Sequence, residues 1–388
     1  MKKIVSLFLI VFLLGLQKTD SKFIIENMAQ VAGITIDGPE VFDIQVKDPR
    51  FYDRVLRDQS LGFGESYMDG WWDVENLDDC MFKLLRSDIE SKFSKNYAIA
   101  WAHLRAKLFN RQDKKGSLDV ILQHYQLGND LYQLMLDPTM TYSCGYWKNA
   151  KNLEEAQIAK FDLIARKLKI QPGMKVLDIG CGWGGFSKHI AKNYGAKVIA
   201  ITLSENQAEL ARQVCAGLDV EVRVQDYRDV NETFDRVVEI GMFEHVGVKN
   251  YDEFFRICHN CLNDEGMLML HTIGSNVSTN VTDRWIDKYI FPGGQLPSIA
   301  QVGAATEKLF VMEDWHNFGC DYDKTLMAWF HNFDQNWDQI KDKYPPKFYR
   351  MWKYYLLSCA ATFRARSTQL WQVVLSKKGE LGGYETVR

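Results

Sequence analysis

Between residues 175 and 274, short apolar runs alternate with segments whose apolar positions recur at helical spacing: KVLDIG (175–180), KVIAITL (197–203), VEVRVQD (220–226), FDRVVEIGM (234–242) and GMLMLHTIG (266–274). Runs of this length bounded by glycine and charge predict strands, and strand–helix alternation predicts a parallel sheet with helices on both faces. In YDEFFRICHNCL the residues Tyr251, Phe254, Phe255, Cys258, Cys261 and Leu262 share one helical face, so the Cys258/Cys261 pair reads as core packing. From Phe23 to about Asn110 the pattern is mixed, with turn signals at Asp37-Gly38-Pro39 and at Asp48-Pro49, and a Gly/aromatic cluster, SLGFGESYMDGWWD, at 60–73. A last helix here, Ser94 to Phe109, carries the stripe Tyr97, Trp101, Leu104 and Leu108. The polar stretch NRQDKKGSL reads as a linker. The expected organisation is therefore an apolar segment 1–20, a smaller, mainly helical domain 21–110, a linker 111–118 and an α/β domain 119–388, with no internal repeat.

Length agrees with this division, since 388 residues suffice for two domains at roughly 150 residues each. A chain that is 46% apolar and 25% charged has enough to bury for a folded globular protein without long disordered tails. Its net charge of -3 provides no global basic field, so nucleic acid is not an expected partner and any anion must be met by a local patch. Across 92–115 the cations Lys92, Lys95, Arg105, Lys107, Arg111, Lys114 and Lys115 stand against the single acid Asp113. A basic helix with a Trp-bearing apolar face suits an anionic bilayer surface; a solvated face beside a linker is the plainer alternative.

The eight cysteines are scattered, which suits a reducing compartment, and without a second CxxC no metal site is expected. Residues 1–20 place Lys2 and Lys3 before an apolar run, Ile4 to Leu16, then Gln17-Lys18-Thr19-Asp20. The layout is that of a secretory leader, yet it lacks a small-x-small cleavage site and is short for a bilayer span. A leader, an interfacial anchor and an unused upstream start stay open.

VLDIGCGWGG (176–185) is a buried strand running into a glycine-rich turn, with a helix beginning near Phe186. Glycines at that junction let the backbone approach a ligand that side chains would block, and Gly180, Gly182 and Gly185 also satisfy the dinucleotide fingerprint. Asp178, two residues ahead of the first glycine, favours a Rossmann-like domain dependent on S-adenosyl-L-methionine (SAM), in which it orients the loop Gly180, Gly182, Trp183 and Gly184 and the amino-acid part of the cofactor. Tyr142 and Ser143 precede the first strand and are expected to fold over the cofactor. Gln225-Asp226-Tyr227 stands where an adenine-binding acid is expected. After the second strand, where such enzymes hold the ribose with an acid, the chain offers the neutral Thr202, Leu203 and Gln207, with Glu205 as the fallback.

The segments LGFGESYMDGWWD, HYQLGNDLY, MTYSCGYW, VLDIGCGWGG, LSENQ, QDYRD, GMFEHVG, LHTIG, KYIFPGG, DWHNFGCDYDKTL and FRARSTQLWQVV, in this order, resemble the cyclopropane-fatty-acyl-phospholipid synthases of the bacterial two-domain type. They are also similar to the mycolic-acid cyclopropane synthases, which lack the long first domain. The resemblance runs from about residue 23 onward, and 1–20 has no counterpart in it. It implies transfer of a methylene group from SAM to the double bond of an unsaturated acyl chain in a membrane phospholipid, through a carbocation. It further implies a bicarbonate ion, held by Cys144, Glu244, His271, the Ile273 backbone and Tyr322, as the proton acceptor. A homodimer assembled through the first domain, working in the cytoplasm on the inner face of the membrane, completes what the resemblance implies. Cys359 occupies the family's active-site cysteine position, whereas its own surroundings, Met351, Tyr354, Tyr355 and Phe363 at helical spacing, read as pocket lining.

Chemistry makes similar demands without reference to family. An isolated alkene is a poor nucleophile, so the methyl donor must be pressed against it in a dry chamber, with a base to take a proton and aromatic faces to steady the cation. Glu244-His245 follows the fourth strand and His271 ends the fifth, which places them at the carboxyl edge where ligands bind. Plainer readings are a helix cap for Glu244, a structural histidine for His271 and a surface tyrosine for Tyr322. His124 and Asn129 are expected to position the cofactor or the helix near them. The aromatics Tyr67 to Trp72, Trp285, Tyr289, Phe291, Trp315, Phe318, Trp329 and Phe330 line an acyl channel or belong to plain core, and 285–297 is expected to form part of a lid. Two rivals remain: an ordinary methyltransferase acting on a head group or small nucleophile, and a lipid-binding protein without activity.

Overall fold

The computed structural model describes residues 21–87 and 128–388; the apolar segment 1–20, the basic helix, the linker and His124 lie outside the described residues. The chain divides into two compact units, Met1–Ser94 and Lys95–Arg388.

In the first unit α1 (Ser21–Val31), β1 (Gln45–Val46), α2 (Arg50–Met68), β2 (Trp72–Asp73) and α3 (Leu77–Arg86) surround a core of Phe51, Tyr67, Trp72 and Leu77. The Gly/aromatic cluster forms the second half of α2 followed by β2. The reason is packing: α2 kinks at Gln59, and a Cβ on Gly62 would lie 2.3 Å from the Arg54 carbonyl, so glycine lets the two halves of the helix meet. Trp72 Nε1 donates to the Phe63 carbonyl at 3.0 Å and ties β2 back onto that helix.

The second unit begins with α4 (Asn129–Met135) and α5 (Leu153–Lys167), then β3 (Lys175–Ile179), α6 (Gly185–Tyr194), β4 (Lys197–Thr202), α7 (Glu205–Val214), β5 (Val220–Val224) and β6 (Phe234–Ile240). It continues with α8 (Tyr251–Cys261), β7 (Leu262–Ser275), α9 (Arg284–Tyr289), α10 (Ile299–Thr306), β8 (Val311–Asn317), α11 (Cys320–Asn336), α12 (Phe348–Arg364) and β9 (Thr368–Ser376). Local signals start several of these helices: Asn152 caps α5, Ser204 caps α7, and Ser298 with Gln301 forms a capping box on α10.

Seven strands form one sheet in the order β5-β4-β3-β6-β7-β9-β8. The five expected strands pair in parallel, but β9 runs antiparallel to β7 and β8 antiparallel to β9, so the sheet is mixed rather than wholly parallel. Nor does His271 end its strand, because β7 continues to Ser275. At Gly274 a Cβ would fall 2.2 Å from the ring of Trp371 on β9. The central strands are apolar on both sides because both faces are covered. On one face Leu177, Ile179 and Phe234 meet Phe254, Cys258 and Cys261 of α8, which places the cysteine pair in the core as expected; on the other Val176, Val238 and Met269 meet Phe161, Ile164 and Phe186. Strand order reverses at β3, and the crevice at the carboxyl ends of β3, β4 and β6 is the switch point where α/β sheets bind ligands.

Candidate active site

That crevice is a cleft enclosing about 1170 Å³ of empty space, counted out to its mouth. Of the residues expected at the cofactor, Tyr142, Ser143, Gly180, Gly182, Trp183, Thr202, Leu203, Gln207, Gln225 and Tyr227 line it. Gly182 has φ +54 and nothing within 4 Å of where a Cβ would sit, so the turn presents bare backbone to the cleft. Gly184 faces the other way, where a Cβ would lie 3.1 Å from that of Ala211 on α7. Trp183 Nε1 donates to Asn129 Oδ1 at 3.2 Å, which is how Asn129 reaches the loop from the start of α4.

Asp178 and Asp226 do not face the cleft. Asp178 is buried beneath the loop, where its Oδ2 accepts from Ser187 Oγ at 2.5 Å and burial raises its pKa to about 6. It holds the glycine turn to the first turn of α6. Asp226 caps its own short turn, accepting from the backbone N–H and the Nε of Arg228, each at 2.9 Å. Thr202 Oγ1 donates to Gln207 Oε1 at 2.9 Å, so the two neutral candidates for the ribose hold each other across the start of α7.

The segment before α5 is fixed from two sides. From below, Gln157 Nε2 donates to the Ser143 carbonyl at 2.8 Å and Lys160 Nζ to Ser143 Oγ at 2.7 Å. On α11, Asp321 Oδ2 accepts from Trp147 N at 2.7 Å and Thr325 Oγ1 accepts from Gly145 N at 3.1 Å. Cys144 is thereby fully buried, its thiol pushed well up by burial, and it packs with Phe318, Ile273 and Tyr322.

Glu244 lies in the turn after β6, buried. Its Oε1 accepts from Ile273 N at 2.7 Å, while Oε2 has no hydrogen-bond partner among the described residues. The Ile273 N–H, expected to be free for an anion, is therefore engaged by Glu244. Burial raises the Glu244 pKa to about 7. A second buried acid, Glu239 on β6, accepts from the N–H groups of Met242 and Phe243 and so shapes the turn that carries Glu244. Burial, then the neighbouring Glu244, pushes its pKa well up.

His271, two residues before Ile273 on the same face of β7, meets the ring of Phe318 with centroids 6.0 Å apart. Its Nδ1 accepts from Gln372 Nε2 on β9 at 3.2 Å, which leaves the proton of the neutral imidazole on Nε2, an atom without a partner. Burial, reinforced by Lys160 and Lys167, lowers its pKa well below the usual range, so the ring is neutral. Phe318 thus gathers Cys144, His271, Ile273 and Tyr322, with Glu244 joined through the Ile273 backbone.

An aromatic wall connects this group to the cleft. Tyr142 packs on Trp329 at 5.0 Å, Trp329 meets Tyr322 at 6.0 Å, and Tyr322 stacks on Phe363 at 4.6 Å. Tyr142 and Tyr355 share a hydrogen bond of 2.7 Å between their hydroxyls, and Phe291 closes on Tyr355 at 5.8 Å. Cys359 follows Tyr355 by one turn of α12, and burial lifts its thiol to about 12. The segment 285–297 includes α9 and is tied to the Glu244 turn, Gln295 N donating to the Glu244 carbonyl at 2.8 Å. Trp285, Trp329 and Phe318 are buried there, whereas Tyr67 and Trp72 belong to the core of the first unit.

Sequence reasoning missed Lys160, Glu239 and Gln372, and gave His245 a place at the strand edge but no role. Lys160 and His245 line the cleft, and burial lowers the pKa of His245 to about 4. The available signals were a charge inside an apolar stripe or run: Lys160 among Ala156, Leu163 and Ile164, and Glu239 inside FDRVVEIGM. Chemically, the site combines a nucleoside-sized cleft edged by exposed backbone, an aromatic lining that excludes water and favours positive charge, and several orphaned polar atoms, Glu244 Oε2 and His271 Nε2 among them. Those two atoms suit a small anion with both donor and acceptor character.

A family model described as mycolic acid cyclopropane synthetase matches residues 112–373. The cyclopropane-fatty-acyl-phospholipid synthase of Escherichia coli strain K12 is 52% identical over 351 residues, covering 90% of this chain and 92% of the relative. Among solved structures, a cyclopropane synthase from Mycobacterium tuberculosis is similar with a TM-score of 0.64 and 34% identity, covering 67% of this chain and 98% of that one. A mycolic acid cyclopropane synthase complexed with SAH and CTAB gives a TM-score of 0.64 and 35% identity, with the same coverage, 67% and 98%.

Proposed function

This chain belongs to the mycolic acid cyclopropane synthetase family, and from that premise we propose that it transfers a methylene group from SAM to the cis double bond of an unsaturated acyl chain in a membrane phospholipid, forming a cyclopropane fatty acid. The observation that carries the reading is the pair of buried, unpartnered atoms, Glu244 Oε2 and His271 Nε2, behind the aromatic wall of a nucleoside-sized cleft. An SAH-bound relative of the same fold supports the cofactor.

When bound, SAM supplies an electrophilic methyl carbon. The residues of the chain do the rest. Thr202 and Gln207 would hold the ribose and Gly180 and Gly182 the amino-acid end; Tyr142 and His245 also line the cleft. Tyr322, Trp329 and Phe363 present ring faces where positive charge develops on the acyl chain, worth about 0.5–2 kcal/mol per well-placed ring, and they keep water from capturing it. Ring closure breaks one C–H bond of the added methyl and uses its electron pair for the last C–C bond, so a proton must leave. We assign its acceptance to a bicarbonate ion held by Cys144, Glu244, His271 and Tyr322, with the Ile273 N–H acting through Glu244. A neutral His271 with its proton on Nε2 can donate to such an anion.

No helix among the described residues is long and apolar enough to cross a membrane. We assign membrane contact to the basic stretch around Arg105, Lys107 and Arg111, on the cytoplasmic face where SAM is supplied, and the working form to a homodimer. Reversing those three charges to Glu should weaken binding to anionic vesicles and leave SAH binding unchanged; unaltered vesicle binding removes the stretch from this role.

The reaction is tested with SAM carrying a fully deuterated methyl and vesicles of an unsaturated phospholipid. The expected product ring keeps two of the three deuteriums. Retention of all three identifies an ordinary methyl transfer, and vesicle binding without labelled product at any lipid composition identifies a lipid-binding protein.

A further inference from the structure

Lys160 belongs to the cleft yet has no part in the reaction just described. It sits on α5 as a fully buried lysine, its Nζ donating to Ser143 Oγ at 2.7 Å, and it lines the cleft beside Gly180 and Gly182. No ion pair is made by this ammonium among the described residues. The nearest acid of the loop, Asp178, has its Oδ2 engaged by Ser187 instead.

A buried cation without a counter-ion is costly, and a second positive charge brought beside it costs more. The cofactor assigned to this cleft carries a sulfonium, an ammonium and one carboxylate. With Thr202 and Gln207 assigned to the ribose and Gln225 and Tyr227 to the base, the lining left for the amino-acid end includes the glycine turn, Ser143 and Lys160. We propose that Lys160 is the carboxylate-binding residue of the cofactor cleft: its ammonium pairs with the α-carboxylate of the bound amino-acid moiety, and the cleft thereby selects ligands that carry that carboxylate. The inference rests on the reading of the cleft as a SAM site.

Protonation is coupled to this pairing. The groups facing Nζ are the Ser143 hydroxyl, the Cys144 thiol, the carboxyls of Asp137 and Asp178, and the His271 imidazole. Burial lowers the Lys160 pKa to about 7, so in the empty cleft above neutrality the amine is largely uncharged. An arriving carboxylate restores the charge, and binding takes up a proton.

Calorimetry on the full-length protein tests this with SAH and its decarboxylated analogue as probes. The wild type should bind SAH about 10- to 100-fold more tightly than the analogue, the size of a charge-assisted hydrogen bond. Lys160→Met should bring the two affinities within about threefold of one another by weakening SAH alone. A misfolded variant would leave the second measurement: titration of the wild type at pH 8 in two buffers of different ionisation enthalpy, where SAH should take up a proton and the analogue should not. SAH bound without preference over the analogue, or an unchanged preference in Lys160→Met, or no proton uptake, overturns the role of Lys160 while the cleft reading stands. Failure of the wild type to bind SAH at all overturns both.

Discussion

The Ile273 N–H donates to Glu244 Oε1 at 2.7 Å, which pins one carboxylate oxygen to β7 and leaves the other buried with no partner. Most buried polar atoms in folded proteins have a partner, and Glu239 Oε2 on β6 shares this orphaned state. What sets Glu244 apart is its place: the Ile273 N–H joins it to the group around Phe318 that includes His271. Glu244→Gln should therefore lower turnover by about 10²–10⁴ while SAH affinity, read by calorimetry, stays within about threefold. Unchanged turnover would remove Glu244 from the mechanism.

The same carboxyl makes a pH-dependent contribution to stability. Its folded pKa is raised to about 7 by burial from an ordinary value of 4.5, so the native state holds the proton more tightly than the unfolded chain. The stability so gained is fully present below pH 4.5 and is lost as pH rises through 7. Because Gln cannot ionise, thermal scans should show the wild-type Tm falling relative to that of Glu244→Gln between those two pH values. A constant difference across the window contradicts the shift.

Glu239 separates a structural acid from a reactive one. It accepts two backbone N–H groups in the turn that carries Glu244, and a glutamine oxygen can accept the same pair. Glu239→Gln should keep most activity and cofactor affinity. Glu239→Ala, which leaves those buried donors unsatisfied, should cost on the order of 2–4 kcal/mol in chemical denaturation and take activity with it. Equal losses in both variants would mean that the charge of Glu239 is required.

Cys359 has its thiol lifted to about 12 by burial, so almost no thiolate exists at neutral pH to act as a nucleophile. Cys359→Ala should hold turnover within about threefold, the size of a packing change beside Tyr355. A loss of several orders of magnitude would restore a chemical role.

Gln207→Ala removes both a cleft contact and the partner of Thr202. SAH affinity should fall about tenfold, as for one or two lost hydrogen bonds. The two-deuterium labelling of the product should persist, because nothing at the proton-transfer end has changed.

What was legible in the chain was what is local. A strand ending in VLDIGCGWGG announces its turn through glycines that must be there, and the α8 stripe announces its buried face through spacing alone. β8 and β9 escaped because their pairing is non-local: in STQLWQVVLS the apolar run fits a buried helix or a strand until β7 is beside it. The continuation of β7 past His271 was hidden for a related reason, since Gly274 makes room for Trp371, a residue far along the chain. Buried charges were the other blind spot. Lys160 and Glu239 look in sequence like solvated positions of an amphipathic element, and only packing shows that they face inward.

The reversal of direction at β9 also has a consequence for synthesis. A nascent chain that has left the ribosome only as far as α12 already contains every residue of the cofactor cleft, but β7, fourteen residues long, still has one bare edge, and His271 lacks the Gln372 amide that orients its ring. The cofactor cleft can thus form before the chamber does, and until β9 arrives the unfinished protein carries a long strand edge open to pairing with other chains.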